Sequence, residues 1–188
     1  MTRIIGGSLG GRRLSTPEGD NTRPTSDRVR EALFGSLEAA GVLDGAHVLD
    51  LYAGSGAVGL EALSRGAASA LFVESHAATA RVLRRNIAAL GVAAETDVNT
   101  AKLPAALKQE PPRRFDLVFA DPPYALDPTD LAIVLSHLVE LDWLSEDADV
   151  VVEGPARGGE PFWPEGLTRD RSRRYGETIL WYGHRSWT

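Results

Sequence analysis

The chain contains no cysteine, which excludes a disulfide framework, a thiolate nucleophile and Cys-ligated zinc. Its four histidines, His47, His76, His137 and His184, are scattered without ligand spacing, so no metal is expected. No apolar run approaches the ~20 residues that span a bilayer. Met1-Thr2-Arg3-Ile4-Ile5-Gly6 lacks the apolar stretch of a secretory signal, so a cytoplasmic protein without membrane contact is expected. There is no internal repeat, no interdomain linker and no sustained heptad, which makes a monomer the default. Lysine is nearly missing too: only Lys102 and Lys108 occur among 20 Lys and Arg residues, so arginine carries the positive charge.

What remains is ordinary globular material, 43% apolar and 24% charged over 188 residues, enough for one full domain. The net charge of -6 argues weakly against a general nucleic-acid binder. Its distribution matters more than its sum. Arg3, Arg12, Arg13, Arg23, Arg28 and Arg30 crowd the first 30 residues, and Arg169, Arg171, Arg173 and Arg174 cluster near the end. Two locally basic ends on an acidic body favour one particular RNA surface over indiscriminate binding.

The chain is organised around Asp50-Leu51-Tyr52-Ala53-Gly54-Ser55-Gly56-Ala57-Val58-Gly59. An apolar run enters it and a helical pattern leaves it, the strand, turn and helix that open a nucleotide-binding sheet. Gly54 and Gly56 lack a Cβ, so the backbone can turn sharply and approach a ligand. With Glu74 further on, the spacing also fits a dinucleotide fingerprint. Asp50 argues against that reading, because a carboxylate at the end of the strand repels a pyrophosphate but suits an ammonium or sulfonium group. S-adenosylmethionine (SAM) carries both cations and no phosphate, and its ribose needs an acceptor such as Glu74. Glycines serving only as a tight connection are the third reading.

Residues 1–24 are rich in glycine, arginine and proline, and Ile4-Ile5 with Arg13-Leu14 can form a small hairpin with its arginines outside. A helix is expected from Thr25 or Ser26 as N-cap to about residue 40, with Val29, Leu33, Phe34 and Leu37 on one face. Strands at about 46–51, 70–73, 93–98, 115–120 and 149–153 then alternate with helices at 54–65, 77–90, 101–109 and 129–141. Runs at about 167–174 and 177–183 form a hairpin around Gly176. The expected fold is α/β: a doubly wound, mostly parallel seven-stranded sheet with a C-terminal antiparallel hairpin, helices on both faces and a small N-terminal hairpin extension.

Asp121-Pro122-Pro123-Tyr124 follows the strand at 115–120, which in such a sheet lies beside the strand at 46–51. The residue types fit methyl transfer to a base amine. An exocyclic amine is planar and a poor nucleophile; acceptors on its two hydrogens favour pyramidal nitrogen and stabilise the charge that grows on it. The Asp121 carboxylate and the Pro122 carbonyl can supply them. Pro123 restricts Pro122 to an extended conformation, so the carbonyl direction is set covalently. Tyr124 offers a ring on which an unpaired or flipped base can stack.

Arg3-Ile4-Ile5-Gly6-Gly7, Gly11-Arg12-Arg13-Leu14, the run from Arg23 to Phe34 and Arg174-Tyr175-Gly176-Glu177-Thr178 together resemble the RsmD family, bacterial 16S ribosomal RNA guanine-N2 methyltransferases. The resemblance covers essentially the whole chain. It implies a Rossmann-like SAM-dependent methyltransferase, residues 25–188, preceded by a basic extension, residues 1–24, that contacts RNA. The acceptor would be 16S rRNA in the assembling or assembled small ribosomal subunit. Asp121, Pro122 and Tyr124 would be catalytic or base-holding. Asp50, Ala53, Gly54, Gly56 and Glu74 would hold SAM, with Thr25 approaching it from the preceding helix and Asn99 meeting the adenine edge. Arg3, Arg12, Arg13, Arg23, Arg28 and Pro123 would face the RNA. The competing readings are an amino-methyltransferase for another planar amine, DNA adenine N6 or protein glutamine, and a non-catalytic RNA-binding assembly factor.

Overall fold

The computed structural model describes residues 2–18 and 26–186. Thr25 and Arg23, proposed above for cofactor and RNA, lie outside them. Seven strands form one sheet: β3 (His47–Leu51), β4 (Ser69–Val73), β5 (Thr96–Asn99), β6 (Phe115–Ala120), β7 (Leu144–Pro155), β8 (Leu167–Tyr175) and β9 (Thr178–Arg185). Their order is β5-β4-β3-β6-β7-β9-β8. The first five are parallel and the last two antiparallel. The order reverses between β3 and β6, and a crevice opens there beyond the strands' carboxyl ends.

One register row crosses all seven strands: Asn99, Val73, Leu51, Ala120, Val152, Trp181 and Ser172. It orders everything functional. Just beyond it on the parallel strands come Tyr52, Glu74 and Asp121.

Alternation along the strands sends side chains to two cores. On one face α1 (Asp27–Ala39), α2 (Ala57–Ser64) and α3 (Ala77–Leu90) cover Val48, Phe72, Leu117 and Val151. On the other, α4 (Pro128–Glu140) covers Leu49, Leu51, Val118 and Val150. Trp181 packs against the second core while Tyr182 is buried in the first. Ser26 caps α1 by accepting from the Val29 amide. Asp127 caps α4, with Pro128 in its first turn. Among the described residues, no helix is long and apolar enough to cross a membrane.

The helix expected at 101–109 is instead a single 3-10 turn, Ala105–Lys108. Pro104 ahead and Pro111-Pro112 behind leave no room for more, and only Ala106 and Leu107 reach the core. The strand expected at 149–153 begins earlier and is longer, with an irregular register between Phe115 and Leu117 on its neighbour.

The N-terminal hairpin pairs β1 (Thr2–Arg3) with β2 (Arg13–Leu14). Its arginines are outside, while Ile4 and Leu14 join the first core. Glu61 on α2 fastens it: the carboxylate, 0% exposed, accepts from the Ile5 amide at 2.8 Å, the Gly6 amide at 2.9 Å, Arg65 at 2.8 Å and Arg30 at 3.3 Å. A buried charge is tolerable only with such pairing. Arg30 is also 0% exposed, donating to the Arg3 carbonyl and to Asp27. One of the six N-terminal arginines is therefore internal.

Candidate active site

The strand β3 brings Asp50 to the mouth of the crevice and ends in a turn that its neighbours brace from three sides. From below, the Gly59 amide in α2 donates to Asp50 Oδ2 at 3.0 Å. From β4, Glu74 Oε1 accepts from the Gly54 amide at 2.8 Å and its Oε2 from the His76 amide at 2.9 Å. From α3, Asn86 Nδ2 donates to the Ser55 carbonyl at 2.9 Å. The same side chain donates to the Ser15 carbonyl and accepts from the Ser15 amide. Asn86 thus joins the N-terminal segment to the turn. No charge or motif marks it in the sequence, although its place among Leu83, Ile87 and Leu90 puts it on a buried face.

The two glycines do different things. Gly56, at φ +87, caps α2, and a Cβ there would meet Leu83 Cδ1 at 2.3 Å. Gly54, at φ +59, has nothing within 4 Å of where a Cβ would stand. Its bare side opens on the crevice, where a ligand can approach the backbone. Tyr52 is left-handed as well, at φ +57, a conformation that costs a tyrosine roughly 1–3 kcal/mol and recurs at ligand clamps. Burial raises its hydroxyl pKa to about 12, helped by the charge of Asp130 in the first turn of α4. Sequence reading passed over Tyr52, because nothing in its neighbours announces a positive φ.

Burial pushes the Asp50 carboxyl from 3.8 up to about 8; the Gly59 bond opposes the shift and the Glu74 charge adds to it. Asp50 is 2% exposed and Glu74 8%. Asp50 therefore braces the turn from within rather than presenting its carboxyl on the surface. The Asn99 carbonyl accepts from the Glu74 amide, which brings together two residues that the sequence reading proposed for one ligand.

Asp121 leaves β6 one residue past the row through Leu51 and Ala120, and its amide points at the Leu51 carbonyl at 3.5 Å. The Asp121-to-Tyr124 tetrapeptide and the glycine turn therefore open on the same crevice. Beyond Pro122 the chain closes a turn with the Leu126 amide on the Pro123 carbonyl at 2.9 Å. Pro123 is exposed and Tyr124 is 54% exposed. The crevice thus has the carboxyl groups of Glu74 and Asp121 at the strand ends and beneath them the buried Asp50, which keeps its proton until a cation binds. That set disfavours a pyrophosphate and fits a cationic ligand with ribose hydroxyls.

Of the arginines proposed for RNA, Arg3, Arg13 and Arg28 stand at the hairpin and the start of α1, while Arg12 turns to α3. Arg28 is exposed in the first turn of α1. Arg3 lies 3.9 Å from Asp27, and Arg13 stands opposite it in the hairpin. Arg12 donates to the Ala89 carbonyl at 2.7 Å. Ala89 lies in the last turn of α3, roughly 5 Å along the helix beyond Asn86, which holds the glycine turn.

A family model described as conserved hypothetical protein 95 matches residues 2–184. The chain is 38% identical over 175 residues to ribosomal RNA small subunit methyltransferase D of Escherichia coli strain K12, covering 93% of this chain and 85% of that one. The solved structure of yhhF from Escherichia coli superposes with a TM-score of 0.86 at 38% identity, over 98% of this chain and 97% of the other. A magnesium protoporphyrin IX methyltransferase from Synechocystis, solved with bound SAM, shares the fold at 16% identity and a TM-score of 0.65, over 85% of this chain and 79% of that one.

Proposed function

Since this chain belongs to the RsmD family, we propose that it is a SAM-dependent methyltransferase of small-subunit ribosomal RNA and that its acceptor is the N2 amine of a guanine. The observation that carries this reading is the adjacency of the two loops. Leu51 pairs with Ala120, so the turn that follows one and the tetrapeptide that follows the other share a crevice.

SAM supplies a methyl group already activated on a sulfonium, so transfer needs no covalent enzyme intermediate. The chain's own task is to hold and orient. Gly54 offers open backbone, Glu74 retains lone pairs for ribose hydroxyls beyond the two amide bonds it accepts, and Asn99 stands beside Glu74. Buried Asp50 favours a cation nearby. On the acceptor side the Asp121 carboxylate and the Pro122 carbonyl take the two hydrogens of the amine and stabilise the charge that develops there. The exposed Tyr124 ring stacks the base. Asp121 polarises and orients; the proton can leave after transfer. The arginines of the N-terminal extension contribute to RNA affinity.

The test is transfer of labelled methyl from SAM to protein-free 16S RNA and to subunits from an unmethylated strain, followed by nuclease digestion and mass spectrometry. N2-methylguanosine is expected. Methylated adenine in the digest, or label in the protein of the subunits instead of the RNA, would redirect the specificity, and no transfer to any acceptor would overturn the enzymatic reading.

A further inference from the structure

The crevice sets an electrostatic problem. Its carboxylates Glu74 and Asp121, joined by Asp50 once a bound cation has drawn off its proton, suit a cation and an amine but repel phosphate. A base can enter only if its own backbone is held away from those carboxylates by cations on the same edge of the sheet. Of the N-terminal arginines, Arg12 is tied to the last turn of α3 and Arg30 is internal, while Arg3, Arg13 and Arg28 are exposed at the hairpin and the start of α1.

The register places another group there. One residue beyond the row through Ala120, Val152, Trp181 and Ser172, Asp121 is level with Glu153, Leu180 and Arg173. Pro122 is in turn level with Gly154, Ile179 and Arg174. Three strand spacings separate these ends, roughly 14 Å, about the reach from a base to phosphates a few nucleotides along. The β8–β9 tip is bound to the end of β7 by the Ala156 amide on the Glu177 carbonyl at 2.8 Å, and this brings Arg157 alongside. Arg157, Arg173 and Arg174 are exposed. Arg174 Nε folds over the turn to the Gly176 carbonyl at 3.0 Å. Being consecutive in a strand, Arg173 and Arg174 present one guanidinium to each flank of the tip. Glu177 is exposed at the turn, while the exposed Glu160 and Asp170 pair with Arg169 and His184, on a chain of net charge -6.

We propose that the tip of the β8–β9 hairpin, with Arg173 and Arg174 on its flanks and Arg157 beside it, is a phosphate-backbone clamp for the acceptor RNA, holding the strand while the target base enters the crevice. The clamp rests on the proposed function for its partner, but binding tests it without turnover. The probe is in vitro transcribed small-subunit rRNA, titrated by fluorescence anisotropy between 50 and 200 mM salt. The double variant Arg173→Ala/Arg174→Ala is expected to bind roughly tenfold or more weakly and to lower the slope of log K against log salt by about 2. Its SAM affinity and melting temperature stay at wild-type values. Arg114→Ala, just before β6 at the opposite, amino-terminal end of the parallel strands, is the control and changes nothing. A double variant with wild-type affinity and slope overturns the clamp even when methyl transfer is intact, and so does a wild-type protein that does not bind this RNA. RNA binding lost in the double variant, with no transfer by the wild type, would uphold the clamp and overturn the enzymatic reading alone.

Discussion

The glycine turn is held by its neighbours, whereas the tetrapeptide across the crevice is held by its own covalent structure. Around the turn, Asp50, Glu74 and Asn86 are 2–8% exposed and each carries a hydrogen bond to its backbone or to the helix that follows. The backbone from Asp121 to Tyr124 reaches β3 through the Asp121 amide and closes a turn at Leu126, and two proline rings set its direction. The difference fits what each loop is proposed to meet. A turn shaped for a small ligand can be buried and cross-braced. A loop that receives a base from a large RNA must stay exposed, where polar braces would compete with water, so locking φ is the way to preorganise it.

Removing a group from the exposed loop should therefore damage the chemistry and spare the cofactor. Asp121→Ala is expected to lower kcat by about 10²–10³, the usual cost of one preorganised electrostatic partner, with SAM affinity by calorimetry unchanged. Tyr124→Ala should lose the roughly 1–3 kcal/mol that stacking contributes, most of it regained in Tyr124→Phe. Full activity in Asp121→Ala would show that the proposed acceptor role is wrong.

The same contrast explains what the sequence revealed. Helix α3 was legible residue for residue, because Ala80, Leu83, Ile87 and Leu90 mark one face and Gly91 closes it. The tetrapeptide was legible because its constraint is local and covalent. The bracing of the turn was not, since Asn86 reaches Ser55 and Ser15 across 31 and 71 residues and such pairings leave no trace in spacing. Arg30 was counted with the basic surface for the same reason: its partner Glu61 sits on another helix. At 101–109 the alanines suggested a helix, but flanking prolines and scant burial decided otherwise.

A cationic ligand should draw a proton out of the braced side. With its carboxyl raised from 3.8 to about 8, folded Asp50 keeps a proton that the unfolded chain has released. The ligand-free protein should thus lose stability as pH rises from about 4 to about 8 and then level off. A sulfonium or ammonium favours the ionised form, so SAM affinity should rise toward pH 8, by at most tenfold per unit, with proton release visible in buffers of different ionisation enthalpy. Asp50→Asn keeps an acceptor for the Gly59 amide and should flatten both profiles. Parallel profiles for the two proteins would place the charge sensed by SAM elsewhere.

The smallest effect expected tests whether the bracing serves the ligand or only the fold. Asn86→Ala strips a partner from the buried Ser55 carbonyl, at about 1–3 kcal/mol for a buried group left unsatisfied, and from the backbone of Ser15, which is exposed and can turn to water. Because Ser55 lies between Gly54 and Gly56, that loosening falls on the surface that meets SAM. The KM for SAM should rise severalfold while kcat at saturating SAM stays near wild type, at a temperature well below the melting point. Asn86→Asp keeps the acceptor for the Ser15 amide but turns an oxygen toward the Ser55 carbonyl, so its KM should rise further. A purely structural asparagine would lower the melting temperature in both variants and leave the KM where it was, and the turn's shape would then owe nothing to α3.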